Sequence, residues 1–340
     1  MTVLITGGAG FVGSHTADAI GADVRLVDAL LPQAHGDSPA VENIVRNDLT
    51  DVSEAVALLD GVDTVIHLAA MVGHGVDPSD APAYALHNDF STAVLLAAMA
   101  SAGVRRLVLA SSMVVYGEGR YRCAEHGIVP AAPRKAGDID AGNFDPPCPV
   151  CGSGLSPELI GEDARLDPRS TYAATKVAQE HLASAWARQT GGSVWALRYH
   201  NIYGPWMPRD TPYAGVASIF RSALERGVAP RVMEDGRQRR DFVHVTDVAA
   251  ANVLAAAKPA PEGTLQAVNI CSGDPHTVAE FAENLATAMG GPMPVIVGGA
   301  RPGDVRHVTA DPAKARSVLG FHPRTSFEEG VKAFATDPLR

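Results

Sequence analysis

The chain has 340 residues, a net charge of −10 and a hydrophobic content of 46%. The length predicts two domains at roughly 150 residues each, and the hydrophobic content predicts a folded core. An acidic chain lacks the basic face that nucleic acids and anionic membranes require, so we expect neither as a partner. With four cysteines, no long apolar run and no signal-peptide pattern, we expect a soluble, cytoplasmic protein.

Short apolar runs alternate with helical patterns along the chain. The predicted strands are 3–6, 24–28, 43–46, 64–68, 106–110, 194–198, 231–233 and 242–244. The predicted helices are 11–20, 81–102, 171–188, 215–225 and 277–289. Strands that alternate with helices predict an α/β fold, with a Rossmann-type doubly wound parallel sheet covered on both faces and a smaller mixed α/β domain. The alternation stops between residues 117 and 167, which we interpret as an insertion.

A glycine-rich loop joins the first predicted strand to the first helix. Gly7, Gly10 and Gly13 would let the backbone turn tightly, approach a pyrophosphate and pack helix against strand. The phosphates would lie at the helix N-terminus, where free N–H groups favour an anion. Asp28 ends the second strand, where an acid binds the adenosine ribose hydroxyls and disfavours a 2′-phosphate, so NAD is favoured over NADP. The alternative is a generic turn and a strand-end aspartate.

Tyr172 and Lys176 lie four residues apart at the start of a predicted helix and therefore share one face. A lysine cation and a positive nicotinamide ring would lower the pKa of the phenol and make Tyr172 a usable base at neutral pH. Lys176 could also hold the nicotinamide ribose. Ser112 follows the strand predicted to end at Ala110, where parallel sheets present ligand-contacting groups. A Tyr-x-x-x-Lys pair alone is more often an ordinary helix surface.

Together with these features, further motifs are similar to those of the extended short-chain dehydrogenase/reductase family, the NAD-dependent nucleotide-sugar epimerases and dehydratases. The motifs are HLAA at 67–70, LRYHNIYGP at 197–205, RDFVHVTD at 240–247 and RPGD at 301–304. The resemblance implies an NAD-binding Rossmann domain formed by 1–199 and about 243–270. It implies a nucleotide-sugar-binding domain formed by 200–242 and 271–340. It also implies a homodimer with helices 81–102 and 171–188 at the interface.

The same resemblance assigns roles to individual residues. The implied catalytic residues are Ser112, Tyr172 and Lys176. The implied cofactor-binding residues are Gly7, Gly10, Phe11, Val12, Gly13, Asp28, Asp48, Leu49, Leu68, Ala69, Ala70, Asn88, Tyr172, Lys176 and Tyr199. The implied substrate-binding residues are Ser112, Asn201, Arg240, Arg301 and Asp304. Arginine suits the diphosphate of a nucleotide sugar because its guanidinium makes bidentate phosphate contacts.

The residues after Ser112 bear on the reaction. Met113 and Val114 stand where the dehydratases of the family typically carry Asp-Glu, and neither can transfer a proton, so 4,6-dehydration is disfavoured. Net ketoreductases often prefer NADPH, which Asp28 disfavours. We therefore predict an epimerase of a dTDP-, UDP- or GDP-sugar that acts at C4 through a transient 4-keto intermediate with retained NAD. A 4-ketoreductase or dehydrogenase, and a non-catalytic NAD-binding protein, remain alternatives.

The branch that the resemblance indicates includes dTDP-L-rhamnose 4-epimerases. The sequence departs from UDP-galactose 4-epimerases at two positions. His200 replaces a common Phe, and Val72 replaces a Lys. Both departures argue against UDP-galactose as the substrate.

The insertion carries paired metal-ligand motifs. Cys123 and His126 form a C-x2-H pair, and Cys148 and Cys151 form a C-x2-C pair. Three thiolates and one imidazole suit a closed, tetrahedral zinc site, so we predict a structural zinc ion. A Cys148–Cys151 redox pair and unconnected thiols are the alternatives. Because the insertion lies between Ser112 and Tyr172, we expect it to form a lid or wall of the sugar pocket.

Overall fold

The computed structural model describes residues 1–21, 23–35, 43–73, 77–209, 215–300 and 304–340, without the side chains of residues 33 and 34. The strands are β1 (Val3–Thr6), β2 (Val24–Asp28), β3 (Ile44–Arg46), β4 (Thr64–His67), β5 (Arg106–Ser112), β6 (Arg120–Cys123), β7 (Gly127–Val129), β8 (Ser156–Glu158), β9 (Ser193–Tyr199), β10 (Asn201–Tyr203), β11 (Arg231–Met233), β12 (Arg239–His244), β13 (Thr264–Ile270), β14 (Pro275–Thr277) and β15 (Val295–Gly298).

The helices alternate with these strands. The α-helices are α1 (Phe11–Ile20), α2 (Pro32–His35), α3 (Val52–Ala57), α4 (Ala81–Tyr84), α5 (Ser91–Ala102), α6 (Ala136–Asp140), α7 (Thr171–Thr190), α8 (Val216–Glu225), α9 (Val245–Ala257), α10 (Val278–Met289), α11 (Ala313–Leu319) and α12 (Phe327–Phe334). The 3₁₀-helices are Pro78–Asp80 and Met113–Tyr116, and Ala85–Phe90 is a π-helix. Among the described residues, none of the helices combines the length and the apolar character needed to cross a bilayer.

A seven-stranded parallel sheet forms the centre of the molecule, in the order β13-β9-β5-β4-β1-β2-β3. Strands β1, β4 and β9 are buried along their whole length, as their almost continuous apolar sequences predict for a sheet covered on both faces. The sheet has an apolar cluster on each face. Helices α1 and α9 pack together and contribute to one cluster, and α3, α5 and α7 contribute to the other. The predicted doubly wound parallel sheet is confirmed.

A smaller α/β region follows β9 and holds the sheets β10-β12-β14 and β11-β15. Aromatic side chains from the strands and helices fill its core. Phe242 stacks on Phe281 at a centroid distance of 4.4 Å, and Tyr203 meets Phe281 edge-on at 5.5 Å. Capping boxes at Thr277 and Ser326 begin α10 and α12 and satisfy backbone N–H groups that would otherwise lack partners.

The insertion has its own antiparallel sheet, in the order β7-β6-β8. Its small core contains Tyr121, Cys123 and Cys148. A backbone bridge between Ile160 and Ala310 joins it to the second region. A cluster this small buries little apolar surface, so the segment depends on contacts beyond its own core.

Most predicted elements differ from the structure by one to three residues at an end, as β12 does by beginning at Arg239 rather than 242, and two differences bear on the site. Strand β5 continues to Ser112, two residues past its predicted end, so the serine belongs to the strand itself. The helix predicted over 81–102 is interrupted by the π-helix Ala85–Phe90. π-Helical turns frequently occur at functional sites, and this one carries Asn88 and His87 beside the cavity described next.

Candidate active site

A cavity of about 320 Å³ opens at the carboxyl edge of the central sheet. The sequence-predicted cofactor residues that line it are Gly7, Gly10, Phe11, Val12, Gly13, Asp28, Asp48, Leu49, Leu68, Ala69 and Ala70. They come from distant parts of the sequence, and the parallel register brings them together because all these strands end at one edge.

The glycine loop leaves no room for side chains. Gly7 has a φ of +71°, and a Cβ there would lie 2.6 Å from the Ala69 nitrogen. A Cβ at Gly13 would collide with the Gly7 carbonyl oxygen. The loop therefore lies directly against the residues that follow β4 and against the first turn of α1. This arrangement fits the pyrophosphate of a dinucleotide.

Asp28 ends β2 and lines this cavity. Its carboxylate accepts hydrogen bonds from the Leu30 N–H at 2.9 Å and the Ala9 N–H at 3.1 Å, and contacts His35 Nε2 at 3.1 Å. Burial raises the pKa of Asp28, but these hydrogen bonds and the His35 charge outweigh it, so the net shift is downward. The carboxylate is thus held in its charged form, ready to accept from hydroxyl groups.

Tyr172 lines a second cavity, of about 240 Å³. Burial raises the pKa of its phenol well above the ordinary value, and a hydrogen bond with Ser112 opposes this rise. The Ser112 hydroxyl also accepts from the Val114 N–H at 3.3 Å. The predicted pair of hydroxyls is therefore assembled. The expected lowering of the Tyr172 pKa is not achieved by the protein alone, because desolvation exceeds the effect of nearby groups.

Lys176 is buried behind Tyr172. Its Nζ donates to the Ala110 carbonyl oxygen at 2.9 Å and lies 5.9 Å from the centroid of the Tyr172 ring. Burial lowers the pKa of Lys176 to about 8, although the charges of Asp89 and Glu180 oppose this shift. The predicted i, i+4 geometry is present, with the ammonium fixed by the end of β5.

The second cavity collects the predicted substrate residues Asn201, Arg240 and Asp304. Arg240 donates to the backbone oxygens of Val305 at 2.7 Å and Arg306 at 2.9 Å. The buried Oδ1 of Asn201 has no protein partner. Arg301 lies outside the described residues. Gly215 lines both cavities, so the two adjoin.

Further residues at these cavities escaped the sequence interpretation. In the second cavity they include Arg169, Arg231 and Gln238. In the first they include Asn47, His87 and Arg340. None stands in a motif, and the pattern of hydrophobic and polar residues around them gives no local signal. Only the tertiary fold shows that they meet.

Two of the predicted cofactor residues, Tyr199 and Asn88, do not line the first cavity and contact other protein groups. The Tyr199 hydroxyl donates to Asn252 Oδ1 at 2.6 Å, and Tyr199 lines neither cavity. Asn88 Nδ2 donates to Met71 O at 3.0 Å and Thr175 Oγ1 at 2.9 Å, while its Oδ1 accepts from the Met71 N–H at 2.7 Å. Asn88 thus fixes the cavity-lining loop at Met71 to helix α7.

The insertion supports the second cavity from behind. None of residues 117–167 lines it, so the expected lid or wall is wrong for this cavity as the described residues form it. Arg134 instead donates to Glu234 Oε1 at 2.8 Å and to the Asp304 carbonyl oxygen at 2.7 Å. Arg306 donates to Glu234 Oε2 and to Asp145 Oδ1, each at 2.8 Å. The insertion therefore braces two cavity-lining residues.

The four predicted zinc ligands come together. The side chains of Cys123, His126, Cys148 and Cys151 place one ligand atom each within 4.8 Å of the others. The Sγ atoms of Cys123 and Cys151 are 3.7 Å apart, and all three thiols are free. His126 Nδ1 lies 3.5 Å from Cys123 Sγ and 3.8 Å from Cys148 Sγ.

Comparison with known proteins agrees with this geometry. Residues 3–135 and 149–271 match the NAD dependent epimerase/dehydratase family. The chain belongs to this family. The dTDP-L-rhamnose 4-epimerase of Burkholderia thailandensis is 35% identical over 350 aligned positions, which cover 98% of this chain and 94% of the relative. The predicted extended short-chain dehydrogenase/reductase resemblance is confirmed.

Solved structures are similar over nearly the whole chain. The UDP-glucose 4-epimerase of Thermus thermophilus, in complex with NAD, has a TM-score of 0.77 at 29% identity, covering 98% of each chain. The UDP-N-acetylglucosamine 4-epimerase of Methanobrevibacter ruminantium has a TM-score of 0.78 at 27% identity, covering 98% of this chain and 96% of the other. These three similar proteins are thus all named as nucleotide-sugar 4-epimerases.

Proposed function

We propose that this chain is an NAD-dependent 4-epimerase of a nucleotide-activated sugar. The observation that carries the proposal is the composition of the second cavity. Tyr172 lines it and is hydrogen-bonded to the Ser112 hydroxyl, whereas Met113 and Val114, which also line it, cannot transfer protons. Such a site can oxidise and reduce a hydroxyl group but has no acid–base pair at these two positions for eliminating water.

The reaction would use the chain's residues as follows. NAD, when bound, would supply reversible hydride acceptance and donation at C4, so that the hydride returns to the opposite face of the sugar, and a positive charge near the phenol. Tyr172 would accept the proton of the sugar 4-hydroxyl, and Ser112 would hydrogen-bond the same oxygen. Lys176 would favour the phenolate by its charge. Arg240 would hold the diphosphate while the 4-keto sugar turns, and Tyr172 would return the proton.

The test is to incubate the purified protein, without added cofactor, with dTDP-, UDP- and GDP-sugars and to follow the products by proton NMR. We expect a 4-epimer to accumulate to equilibrium without net NADH formation, and the Tyr172→Phe variant to lose at least about 100-fold in kcat. Stoichiometric NAD(P)H consumption would make the protein a ketoreductase instead. Near-normal turnover by Tyr172→Phe would refute the role of the phenol.

We propose a dTDP-linked 6-deoxyhexose as the substrate class. Support comes from the 35% identity to the dTDP-L-rhamnose 4-epimerase, compared with 31% to the UDP-glucose 4-epimerase of Mycolicibacterium smegmatis. In the NMR panel, dTDP-L-rhamnose should be converted with the highest kcat/KM. A UDP-hexose converted faster would overturn this choice.

We propose that the Cys/His cluster holds a structural zinc ion. A tetrahedral site with Zn–S bonds of about 2.3 Å places its sulfurs roughly 3.8 Å apart, which agrees with the 3.7 Å between Cys123 and Cys151. A redox pair would need only Cys148 and Cys151 and would leave the convergence of Cys123 and His126 unexplained.

Elemental analysis tests the zinc proposal. The wild type should contain one zinc per chain, and the double variant Cys148→Ser, Cys151→Ser should contain none. Cys271→Ser is the control, because Cys271 is buried elsewhere and donates to the Ala310 carbonyl oxygen. Equal zinc contents in all three proteins would contradict the assignment.

We propose that the protein is a homodimer, with the face formed by the 81–102 segment and α7 at the interface. Leu86 and Phe90 are 43% and 48% exposed and lie four residues apart on this face. Phe90→Asp should convert the dimer to a monomer in light scattering. Val228→Asp, at an equally exposed residue after α8, should not. We also propose that the chain divides into two domains. The NAD-binding domain comprises residues 1–199 and about 243–270, and the nucleotide-sugar-binding domain comprises residues 200–242 and 271–340.

A further inference from the structure

Arg340 lines the cofactor cavity although it lies far from the glycine loop in the sequence. It is the lone arginine or lysine among the described residues that line this cavity, whereas Asp28 and Asp48 line it as acids. A pyrophosphate carries two negative charges at neutral pH. The helix N-terminus stabilises an anion through partial charges, but without Arg340 the described part of the lining would contain no permanent cation.

The Arg340 guanidinium is only partly used by the protein. Its Nη1 donates to the Ala9 carbonyl oxygen at 2.5 Å. Its buried Nε has no partner. A guanidinium has five N–H donors, and leaving a buried one unpaired is unfavourable. Because this Nε is shielded from solvent, the terminal Nη groups of Arg340 are the ones that would donate to a ligand oxygen in the cavity.

The backbone fixes this side chain in place. The Arg340 N–H donates to the Met207 carbonyl oxygen at 3.3 Å, and its carbonyl oxygen accepts from the Arg209 N–H at 2.8 Å. The Trp206 N–H donates to the Pro338 carbonyl oxygen at 2.6 Å. Met207 itself lines the cofactor cavity. Residues 338–340 are thus paired with residues 206–209 along one wall of the cavity, which fixes the backbone of Arg340, while the bond to Ala9 orients its guanidinium.

We propose that Arg340 binds the pyrophosphate of the dinucleotide and retains NAD between turnovers. The proposal rests on the NAD binding of the proposed function. Arg340 is close enough to Asp28 to interact with its charge. An arginine near the strand-end acid can also bind the 2′-phosphate of NADP, which is the alternative ligand group for this guanidinium. The contact with Ala9 favours the pyrophosphate, since Ala9 belongs to the glycine loop that receives it.

The test measures binding of NAD⁺, NADP⁺, ADP and adenosine to the NAD-stripped full-length protein by titration calorimetry. Arg340→Gln should weaken NAD⁺ and ADP by about 10-fold or more, because a charge-assisted hydrogen bond is lost, and should leave adenosine unchanged. Arg340→Lys should recover part of the loss. The control is Arg105→Gln, an exposed arginine next to the amino end of β5, at the opposite edge of the sheet. Its affinities should equal those of the wild type.

The outcomes distinguish pyrophosphate binding by Arg340 from a structural role of this residue and from the proposed epimerase function. Equal ADP affinities for the wild type and Arg340→Gln would overturn the proposal, as would a loss confined to NADP⁺. A weakened affinity for adenosine, or a lower Tm of the stripped variant, would indicate a structural role and also overturn it. If the wild type binds NAD⁺ with the expected Arg340 dependence but converts no nucleotide sugar, the proposed function fails and the role of Arg340 stands.

Discussion

Glu234 provides the sharpest test of how the insertion supports the substrate cavity. Its side chain is 2% exposed and lies between Arg134 and Arg306, whose side chains are 3% and 1% exposed. Removing one partner of a buried ion pair leaves uncompensated charge and costs about 3–5 kcal/mol. At about 2.1 cal/mol/K per residue, 340 residues give an unfolding entropy of about 0.7 kcal/mol/K. Glu234→Gln should therefore lower the Tm by about 4–7 °C.

The chain offers a matched control on its surface. Glu158 also pairs with two arginines, Arg120 and Arg122, but these side chains are 34% and 52% exposed. Exposed ion pairs contribute little to stability because water screens them. Scanning calorimetry of Glu158→Gln should show no resolvable change in Tm. Equal shifts for the two variants would refute the reasoning, because burial would then have no effect. Glu234→Gln should also raise the KM for the nucleotide sugar, since Glu234 and Asp304 line the cavity.

Three further predictions concern the cofactor side of the site. Gly13→Ala should abolish NAD retention during gel filtration, because its Cβ would collide with the Gly7 carbonyl oxygen, and retained NAD would show that the loop can relax. Asn88→Ala should weaken NAD⁺ binding about 5- to 10-fold by releasing the Met71 loop, as three side-chain hydrogen bonds are lost; an unchanged Kd would show that the loop is held by other contacts. Burial lowers the pKa of Lys176 from 10.5 to about 8. Between these two pH values the lysine is protonated in the unfolded chain but not in the folded chain. The free energy of unfolding therefore rises with pH over this range. The Tm of the wild type should thus rise relative to that of Lys176→Met between pH 8 and pH 10, and parallel Tm curves would contradict the shift.

Local patterns predicted the strands of the central sheet other than β13, the longer helices other than α9, and the motif residues. Each sheet strand that was predicted has an apolar run of its own, and the glycine loop has its signal within eight residues. The π-helix Ala85–Phe90 could not be predicted, because its extra residue per turn leaves the Ala/Leu-rich pattern of the surrounding helix unchanged. The position of Tyr199 depends on Asn252, which lies 53 residues away.

The buried ion pairs that support the substrate cavity could not be predicted from the sequence either. Arg134 contacts Glu234 across 100 positions, and Arg306 contacts Asp145 across 161. In the sequence, each of these residues resembles an ordinary solvated charge, because burial of a charge is decided by tertiary packing alone. The Cys/His spacing, in contrast, was informative, since metal ligands occur in short pairs that are visible without the fold.

The contact between Arg340 and Ala9 has a consequence for biosynthesis. The two residues are 331 positions apart, so at about 5–20 residues per second the ribosome needs roughly 17–66 s to supply the second after the first. Strands β1 to β5 emerge early and can pair during this interval. The cofactor cavity, however, lacks one wall until residues 338–340 reach residues 206–209. A nascent chain should therefore bind its dinucleotide with high affinity only after synthesis has passed residue 340, even if its glycine loop folds much earlier.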